Sequence, residues 1–297
     1  MSDATVGVRP KALGLVAALS KPEAHQLADE IRQRVAELGL TLVEEEELSP
    51  KAVKQVDAIL VLGGDGLMMR AAKAYPNAPL LGINFGKVGF LAKVERDNWR
   101  EALDAVVSGQ YTIEESSTLN ASIQSPHDTE DHGWAINDVV IRSGVRMIDI
   151  ELYVDGYYVN TFPGDGLIVS TSRGSTAYCM AAGGPILTAG VKGFAIVPIS
   201  CHSPIRTPLV VAESARIDLL FTSRYDASLI LDGRVVADLA PDDVVRVRRG
   251  ENFCRLISIG ESDFYAAFRT KFNFRIRPDL EPTRVPESIG NSRENQA

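Results

Sequence analysis

Residues 12–109 alternate short apolar runs with helical periods, and no other feature of the sequence restricts the fold as strongly. The apolar run Ala12–Leu19 predicts a buried strand, and a helix is expected to begin near Pro22 and to end at Gly39. A second apolar run, Ala58–Leu62, predicts another buried strand. Such alternation is typical of βαβ units, so we expect a Rossmann-like α/β domain with a mostly parallel sheet.

The same pattern continues beyond the second run. Leu67–Ala74 contains good helix formers, and Pro79–Ile83 predicts a further strand. Apolar residues that follow Trp99 mark the buried face of a helix that ends at Gly109. The first domain is expected to span residues 1–116, and the aromatic segment 263–274 is expected to pack back on it.

After residue 116, short β-rich runs separated by turn residues replace the helical periods. Asp155-Gly156 and Asp232-Gly233 each lie between alternating apolar residues, which is a strong hairpin signal. Residues 117–262 are therefore expected to form a β-rich C-terminal domain of the β-sandwich type. Residues 275–297 are polar and contain proline, which predicts a disordered tail.

The charge balance limits the partners of the protein. The chain of 297 residues carries 31 Lys and Arg against 39 Asp and Glu, a net charge of −8. The field of the whole molecule therefore does not attract nucleic acid or an anionic membrane surface. Three widely spaced cysteines fit reduced thiols better than a disulfide framework or a zinc site. Since no apolar run approaches the roughly 18 residues of a membrane helix, we expect a cytoplasmic protein.

The sharpest local feature is the turn Gly63-Gly64-Asp65-Gly66, which lies between a buried strand and a helix. Glycines let the backbone approach a ligand closely, and the N–H groups at a helix start point at an anion. A carboxylate among such amides suits a base or a metal ligand beside a reacting hydroxyl. A tight turn in which Asp65 caps the helix is an equally acceptable interpretation of these four residues.

Two further features favour a ligand site. A second glycine-rich block runs from Gly164 to Tyr178, and its small residues leave the backbone open to a flat ligand, while Tyr178 offers a ring face or a hydroxyl. Asn137-Asp138 places an amide beside a carboxylate within an expected strand, Trp134–Ile141. Such a pair suits the donors and acceptors of a base or a ribose. An irregular loop is the structural alternative for the glycine-rich block, and a bulge or a strand edge is the alternative for the Asn137-Asp138 pair.

In this order, the three blocks resemble the NAD kinase family, which phosphorylates the 2′-hydroxyl on the adenosine side of NAD to make NADP. The resemblance covers residues 12–274 and includes the runs Gly82–Leu91 and Gly183–Leu187. The Gly-Gly-Asp-Gly turn alone also occurs in lipid kinases and phosphofructokinases. The combination of the blocks is far more specific than any one of them.

The resemblance implies a role for each matching residue. Asp65 matches the catalytic base of the family, Gly63 and Gly64 match its phosphate loop, and Gly66 matches the turn that contacts the substrate. The other positions matched to substrate-binding residues of the family are Arg70, Asn137, Asp138, Arg146, Asp165, Thr176, Ala177, Tyr178, Ala181 and Arg234. The metal ligands stay unassigned.

The implied reaction is in-line transfer of the γ-phosphoryl group of ATP to NAD, with Mg²⁺ neutralising the phosphates. The resemblance also implies a homo-oligomer, either a dimer or a tetramer. Two alternatives stay open: a kinase for a lipid or small alcohol that shares the turn, and a dinucleotide sensor that has lost catalysis. Leu67 and Ala181 stand where the family often has polar residues, which is mild evidence for the sensor, and Arg173 stands where threonine is frequent.

Overall fold

The structure is a computed structural model that describes residues 5–18, 22–49, 55–85, 89–125, 128–188, 190–204 and 206–260. The expected C-terminal segment 263–274 and the expected tail 275–297 lie outside these residues. The helices are α1 (Pro22–Glu37), α2 (Asp65–Ala74), α3 (Trp99–Ser108) and α4 (Tyr178–Ala181). Short 3₁₀ turns occupy Arg96–Asn98 and Gly174–Thr176.

The strands fall into two groups along the chain. The strands before α4 are β1 (Thr5–Val6), β2 (Ala12–Ala17), β3 (Thr41–Glu44), β4 (Ala58–Leu62), β5 (Pro79–Asn84), β6 (Val94–Glu95), β7 (Thr112–Ser125), β8 (Asp128–Ala135), β9 (Asp138–Ser143), β10 (Ile148–Val154), β11 (Tyr157–Gly164) and β12 (Gly166–Ser170). The strands after α4 are β13 (Gly193–Ile199), β14 (Leu209–Ala212), β15 (Ile217–Phe221), β16 (Ala227–Leu231), β17 (Arg234–Leu239) and β18 (Val244–Ser258).

The N-terminal strands form a parallel sheet in the order β3-β2-β4-β5. Helices α1 and α3 cover one face, where Leu27, Ile31 and Leu103 are buried against the strands. Helix α2 covers the other face through Met68 and Ala71. This arrangement follows from the sequence, because every residue of β4 is buried and an all-apolar strand needs cover on both faces.

The long strand β18 joins this parallel sheet to the antiparallel part of the molecule. Its residues Arg255 and Leu256 pair in parallel with β5, whereas the strand pairs antiparallel with β7 and β15. A second, antiparallel sheet has the order β14-β13-β12-β9-β16-β17. Buried residues from both sheets, such as Leu219 and Phe194, share one core. The expected fold class, an α/β domain followed by a β-rich domain of sandwich type, is confirmed.

Both Asp-Gly hairpins are present, joining β10 to β11 and β16 to β17. The expectation of one strand from Trp134 to Ile141 is wrong, because β8 ends at Ala135 and β9 begins at Asp138. Strand β8 belongs to the first sheet and β9 to the second, so the chain crosses between sheets at residues 136 and 137. The apolar residues on either side are similar, and the polar pair Asn137-Asp138 at the crossing does not by itself indicate a change of sheet.

Leu219 should be a sensitive test of the core between the two sheets, because its side chain is fully buried there. We expect Leu219→Ala to lower the free energy of unfolding by about 2–5 kcal/mol, because it removes buried methyl groups and leaves a cavity. Val145→Ala, at a position that is 95% exposed, should change the free energy by less than about 0.5 kcal/mol. Urea unfolding of the two variants and the parent protein gives the comparison, and equal midpoints would contradict the assigned core.

Candidate active site

The glycine turn joins the end of β4 to the start of α2. Gly64 is the N-cap residue of α2 and has extended backbone angles. The N–H group of Gly63 donates to the carbonyl of Ile83 on β5, over 2.9 Å. A Cβ atom added at Gly63 would lie 2.7 Å from Cδ2 of Leu67. A side chain at this position would displace Leu67, because the turn packs directly against the first turn of its own helix.

Gly64 is the N-cap residue of α2, and Asp65 is the acidic first residue of the helix. Its carboxylate reaches the segment after β5. Oδ2 accepts a hydrogen bond from the N–H of Phe90 over 2.9 Å, and Oδ1 accepts from Leu91 over 3.0 Å and Ala92 over 3.1 Å. Three main-chain donors therefore fix the orientation of this half-buried carboxylate.

Helix α2 also packs against the crossing between the two sheets. Ile136 is buried in one cluster with Met68, Ala71 and Leu91. The ammonium group of Lys73 donates to the carbonyl of Trp134 over 2.7 Å. The helix that begins with Asp65 is thus in contact with the segment that carries Asn137 and Asp138.

The second glycine-rich block lies directly on this crossing. The N–H of Thr171 donates to the carbonyl of Asn137 over 2.9 Å, and the Thr171 hydroxyl donates to the carbonyl of Ile136 over 2.7 Å. A Cβ atom added at Gly174 would overlap the main chain of Asn137. The block is therefore more than an irregular loop, because its glycine permits the close approach of two backbone segments.

Thr176, Ala177 and Tyr178 follow this glycine and are all half-buried. The ring of Tyr178 lies 5.9 Å from the guanidinium carbon of Arg142, measured to the ring centroid. Arg142 and Asp138 lie on the same face of β9, since they are separated by an even number of residues. Tyr178 therefore extends over the face of the second sheet that carries Asp138.

Asp138 is the most strongly perturbed acid of the site. It is only 5% exposed. Burial, reinforced by the negative charge of Asp232, raises the pKa of Asp138 to about 7. A carboxyl group that is partly protonated at neutral pH can both donate and accept hydrogen bonds, which widens the set of ligand atoms that it can contact.

Asp232 is a member of the site that the sequence analysis did not identify. Its carboxylate accepts hydrogen bonds from the N–H groups of Ile136, Asn137 and Asp138, over 2.9, 2.7 and 3.2 Å. Its Oδ2 lies 3.1 Å from Nζ of Lys73. The only sequence signal was the Asp-Gly turn, and that signal predicts a hairpin without indicating a contact across the fold.

Four other matched positions are exposed. Arg70 is paired with Glu45 over 2.5 Å, and Ala181 ends α4. Arg234 starts β17, next to the Asp232 turn. Arg146, which follows β9, has its guanidinium carbon 5.9 Å from the ring centroid of Tyr225.

Asp165 and Arg146 lie at the far end of the second sheet from Asn137. Asp165 precedes β12, in which Gly166 pairs with Arg142 and Ser170 pairs with Asp138. These two pairs are four residue steps apart and Asp165 lies one step further, so Asp165 is about 17 Å along the strand from the level of Asp138. The structure therefore does not bring Asp165 and Arg146 together with Asn137 within one chain.

Arg173, which stands where the family often has threonine, borders a polar cavity of about 340 Å³. Its guanidinium group donates to the hydroxyl of Ser116, with Nη2 at 2.8 Å and Nε at 3.3 Å. The cavity is also lined by Ser172 and Lys192. Three carboxylates, those of Glu114, Glu115 and Glu213, also line this cavity, so its wall carries both signs of charge.

Within the described ranges, no group of three or more His, Cys, Asp or Glu residues is arranged to hold a metal ion. Among the same residues, no helix is long and apolar enough to span a membrane. The three cysteines are free and buried. Burial raises the pKa of the Cys179 thiol to about 11, so this residue is a poor nucleophile at neutral pH.

Comparison with protein families gives two matches that together follow the fold. Residues 21–111 match the ATP-NAD kinase N-terminal domain, and residues 136–259 match the ATP-NAD kinase C-terminal domain. The class that the fold and these matches define is a two-domain nucleotide phosphotransferase. The NAD kinase of Thermomicrobium roseum is 52% identical over 271 residues, which cover 91% of this chain and 94% of that protein. The chain belongs to the NAD kinase family.

Other relatives and solved structures agree with this assignment. The NAD kinase of Geobacter metallireducens is 37% identical over 242 residues, covering 80% of this chain and 84% of that protein. Yeast NADH kinase, solved as a complex with NADH, has a TM-score of 0.81 at 18% identity and covers 94% of this chain and 91% of its own. An NAD kinase from Archaeoglobus fulgidus in complex with ATP has a TM-score of 0.67 at 24% identity, covering 88% and 97%. At these identities the two structures show that the fold is shared.

The raised pKa of Asp138 has a consequence for stability. In the folded protein the Asp138 carboxyl group stays protonated up to a pH of about 7, whereas the pKa of an ordinary aspartate is 3.8. The protonated Asp138 carboxyl group therefore contributes its full share to the free energy of unfolding below pH 3.8. This contribution decreases as the pH rises and is lost as the pH passes through about 7. We expect the stability of Asp138→Asn to increase relative to the parent protein over this range, by at most about 1.4 kcal/mol per pH unit.

Urea unfolding of both proteins between pH 5 and pH 8 measures this difference. Asp226→Asn, at an exposed position, controls for the loss of one negative charge. A difference between Asp138→Asn and the parent that does not vary with pH would show that Asp138 is not the perturbed group.

Proposed function

We propose that this protein transfers the γ-phosphoryl group of ATP to the 2′-hydroxyl of the adenosine ribose of NAD, forming NADP and ADP. The observation that carries the proposal is the position of Asp65. It starts the helix that follows the glycine turn, and the same helix packs on the segment that carries Asn137 and Asp138. A candidate base and a candidate dinucleotide-binding pair thus belong to one packed unit.

The glycine turn suits the donor phosphates. The N–H groups of the first helical turn point out of the N-terminus of α2, where the helix dipole is positive. Glycine at 63, 64 and 66 keeps side chains from covering this backbone. We propose that Mg²⁺ enters as part of the Mg–ATP substrate, because Mg²⁺ is usually held by substrate phosphates together with one or two carboxylates.

Asp65 is the proposed base. A carboxylate is a far weaker base than an alkoxide, so Asp65 accepts the hydroxyl proton late, as the bond between the ribose oxygen and phosphorus forms and ADP leaves. The N–H groups of Phe90, Leu91 and Ala92 already hold the carboxylate in one orientation. A carboxylate has roughly four lone-pair sites. The substrate hydroxyl is proposed to donate to the same carboxylate as these three N–H groups. Positioning and charge stabilisation supply most of the catalysis in such transfers.

Asn137, Asp138 and Tyr178 are proposed to bind the adenosine half of NAD. Asn137 and Asp138 lie at one end of the second sheet, beside the glycine-rich block that leads to Tyr178, and the Tyr178 ring extends along the same face toward Arg142. The buried Asp138 and the amide of Asn137 offer both donors and acceptors to a base and a ribose. Arg173 is proposed to contact phosphate oxygens from the adjacent polar cavity.

Asp165 is proposed to act in a homo-oligomer. It lies about 17 Å along the sheet from the level of Asp138, too far to share one small ligand group with it. We propose that Asp165 and Arg146, which match substrate-binding positions of the family, contact the ligand of a second copy of the chain. Sedimentation analysis of the purified protein tests the expected dimer or tetramer.

We also propose that the protein is located in the cytoplasm.

The direct test is incubation of the purified protein with Mg–ATP and NAD. Formation of NADP supports the proposal. Binding of NAD without turnover would instead support the dinucleotide sensor, and phosphorylation of a lipid or small alcohol would support the other kinase. Steady-state rates with NAD and NADH, each with ATP or polyphosphate, then define which substrates the site accepts.

Replacement of the proposed base gives a sharper prediction. We expect Asp65→Asn to lower kcat by about 10²–10⁴-fold, while the KM for NAD and for ATP stay within about threefold, because a general base acts mainly in the transition state. Asp97→Asn, at an exposed position beside α3, should retain full activity. If Asp65 only anchors residues 90–92, both KM values and the unfolding free energy will change while kcat is kept.

A further inference from the structure

The two Asp-Gly hairpins of this protein have the same local form but different surroundings. Asp155 and Gly156 have φ angles of 53° and 87°, and Asp232 and Gly233 have φ angles of 48° and 78°. Each pair forms a two-residue turn between antiparallel strands. The Asp155 side chain is 53% exposed, whereas the Asp232 side chain is 6% exposed. The burial of Asp232 is therefore not a property of the turn.

The contacts of the two carboxylates differ in the same way. Oδ1 of Asp155 accepts one hydrogen bond, from the N–H of Arg216, over 2.9 Å. The carboxylate of Asp232 accepts three N–H groups in succession, those of residues 136, 137 and 138. The N–H of Asp232 in turn donates to the carbonyl of Asp138 over 3.1 Å. A buried carboxylate that accepts three main-chain N–H groups holds that backbone firmly.

Lys73 connects this arrangement to the catalytic helix. Its Nζ lies 3.1 Å from Oδ2 of Asp232 and 2.7 Å from the carbonyl oxygen of Trp134, and it also lies 5.4 Å from the centroid of the Trp134 ring. Lys73 and Asp65 are eight residues apart on α2, which is about 12 Å along the helix axis. A displacement of the Asp232 turn would thus be transmitted both to the Asn137–Asp138 pair and to the helix that begins with Asp65.

We propose that Asp232 is a positioning residue, which holds the main chain of Asn137 and Asp138 in the geometry that binds the dinucleotide and, through Lys73, ties that pair to the helix of the catalytic base. This inference rests on the proposed function of the site. Asp232 acts through the residues that it holds, and it need not touch NAD itself.

The charge of Asp232 adds a second effect. Burial and then the negative charge of Asp232 raise the pKa of Asp138 to about 7. The other ionisable groups near Asp138 are Lys73 on α2, which is paired with Asp232, Cys179 and Tyr178 on α4, and Arg142 further along β9. Removal of the Asp232 charge should therefore lower the pH at which Asp138 ionises, although burial keeps that pH above the usual range for an aspartate.

The test compares Asp232→Asn with Asp155→Asn, because the two substitutions are identical and lie in turns of the same form. An asparagine can keep the left-handed backbone, but its amide group cannot accept the full set of N–H donors. We expect Asp232→Asn to raise the KM for NAD by about tenfold or more, with the KM for ATP within about twofold. Asp155→Asn should leave both KM values unchanged.

The pH dependence of kcat/KM for NAD gives an independent readout. Its midpoint near neutral pH should move to lower pH in Asp232→Asn and stay in place in Asp155→Asn. If Asp232→Asn does not fold, Lys73→Met serves instead, with a smaller rise in the KM for NAD expected, and Lys73→Arg should restore the parent value because it keeps the cation.

Each outcome has a defined meaning. Equal KM values and pH midpoints for Asp232→Asn and Asp155→Asn would overturn the inference, and so would a loss of stability accompanied by equal changes in both KM values. Failure of the parent protein to convert NAD to NADP would overturn the proposed function instead, so the two failures can be distinguished.

Discussion

The packing of α2 against the crossing between the two sheets is the contact on which the site depends. Ile136 is buried with Met68 and Ala71 of that helix, so the crossing cannot move without opening an apolar core. The main chain on either side of Ile136 is then held by polar contacts, from Thr171 and from Asp232. Apolar packing sets the position of the segment, and hydrogen bonds set the orientation of its peptide groups.

Acidic residues occupy both halves of the candidate site, and their surroundings differ. The carboxylate of Asp65 is held by the main-chain N–H groups of residues 90–92. Asp138 is buried beside Asp232, and burial with that neighbouring charge raises its pKa to about 7. Lys73 offsets the charge of Asp232 and so makes it possible to keep two carboxyl groups close together. Membership of the NAD kinase family agrees with the proposal that Asp65 is a base and that Asn137 and Asp138 bind the adenosine half of NAD.

Local patterns predicted most of the elements. The apolar run Ala58–Leu62 is a strand with the predicted bounds, and both Asp-Gly turns form hairpins. The single strand expected across Asn137 was wrong, because the choice of sheet on each side of residue 136 is made by partners distant in the sequence. For the same reason the sequence offered no means of separating Asp232 from Asp155, or of placing Asp165 at the far end of β12.

The amino-acid sequence by itself determined the order of the elements, the glycine turn, the identity of the candidate base and, through the combination of its motifs, the family. These are properties of neighbouring residues, such as side-chain period, glycine content and turn chemistry. Only the tertiary structure decided which carboxylates are buried, which main-chain groups they hold and which matched residues meet in one chain. Burial and charge pairing depend on segments that are far apart in sequence, and the buried contacts of Asp232 exist only once α2 and the two sheets have packed together.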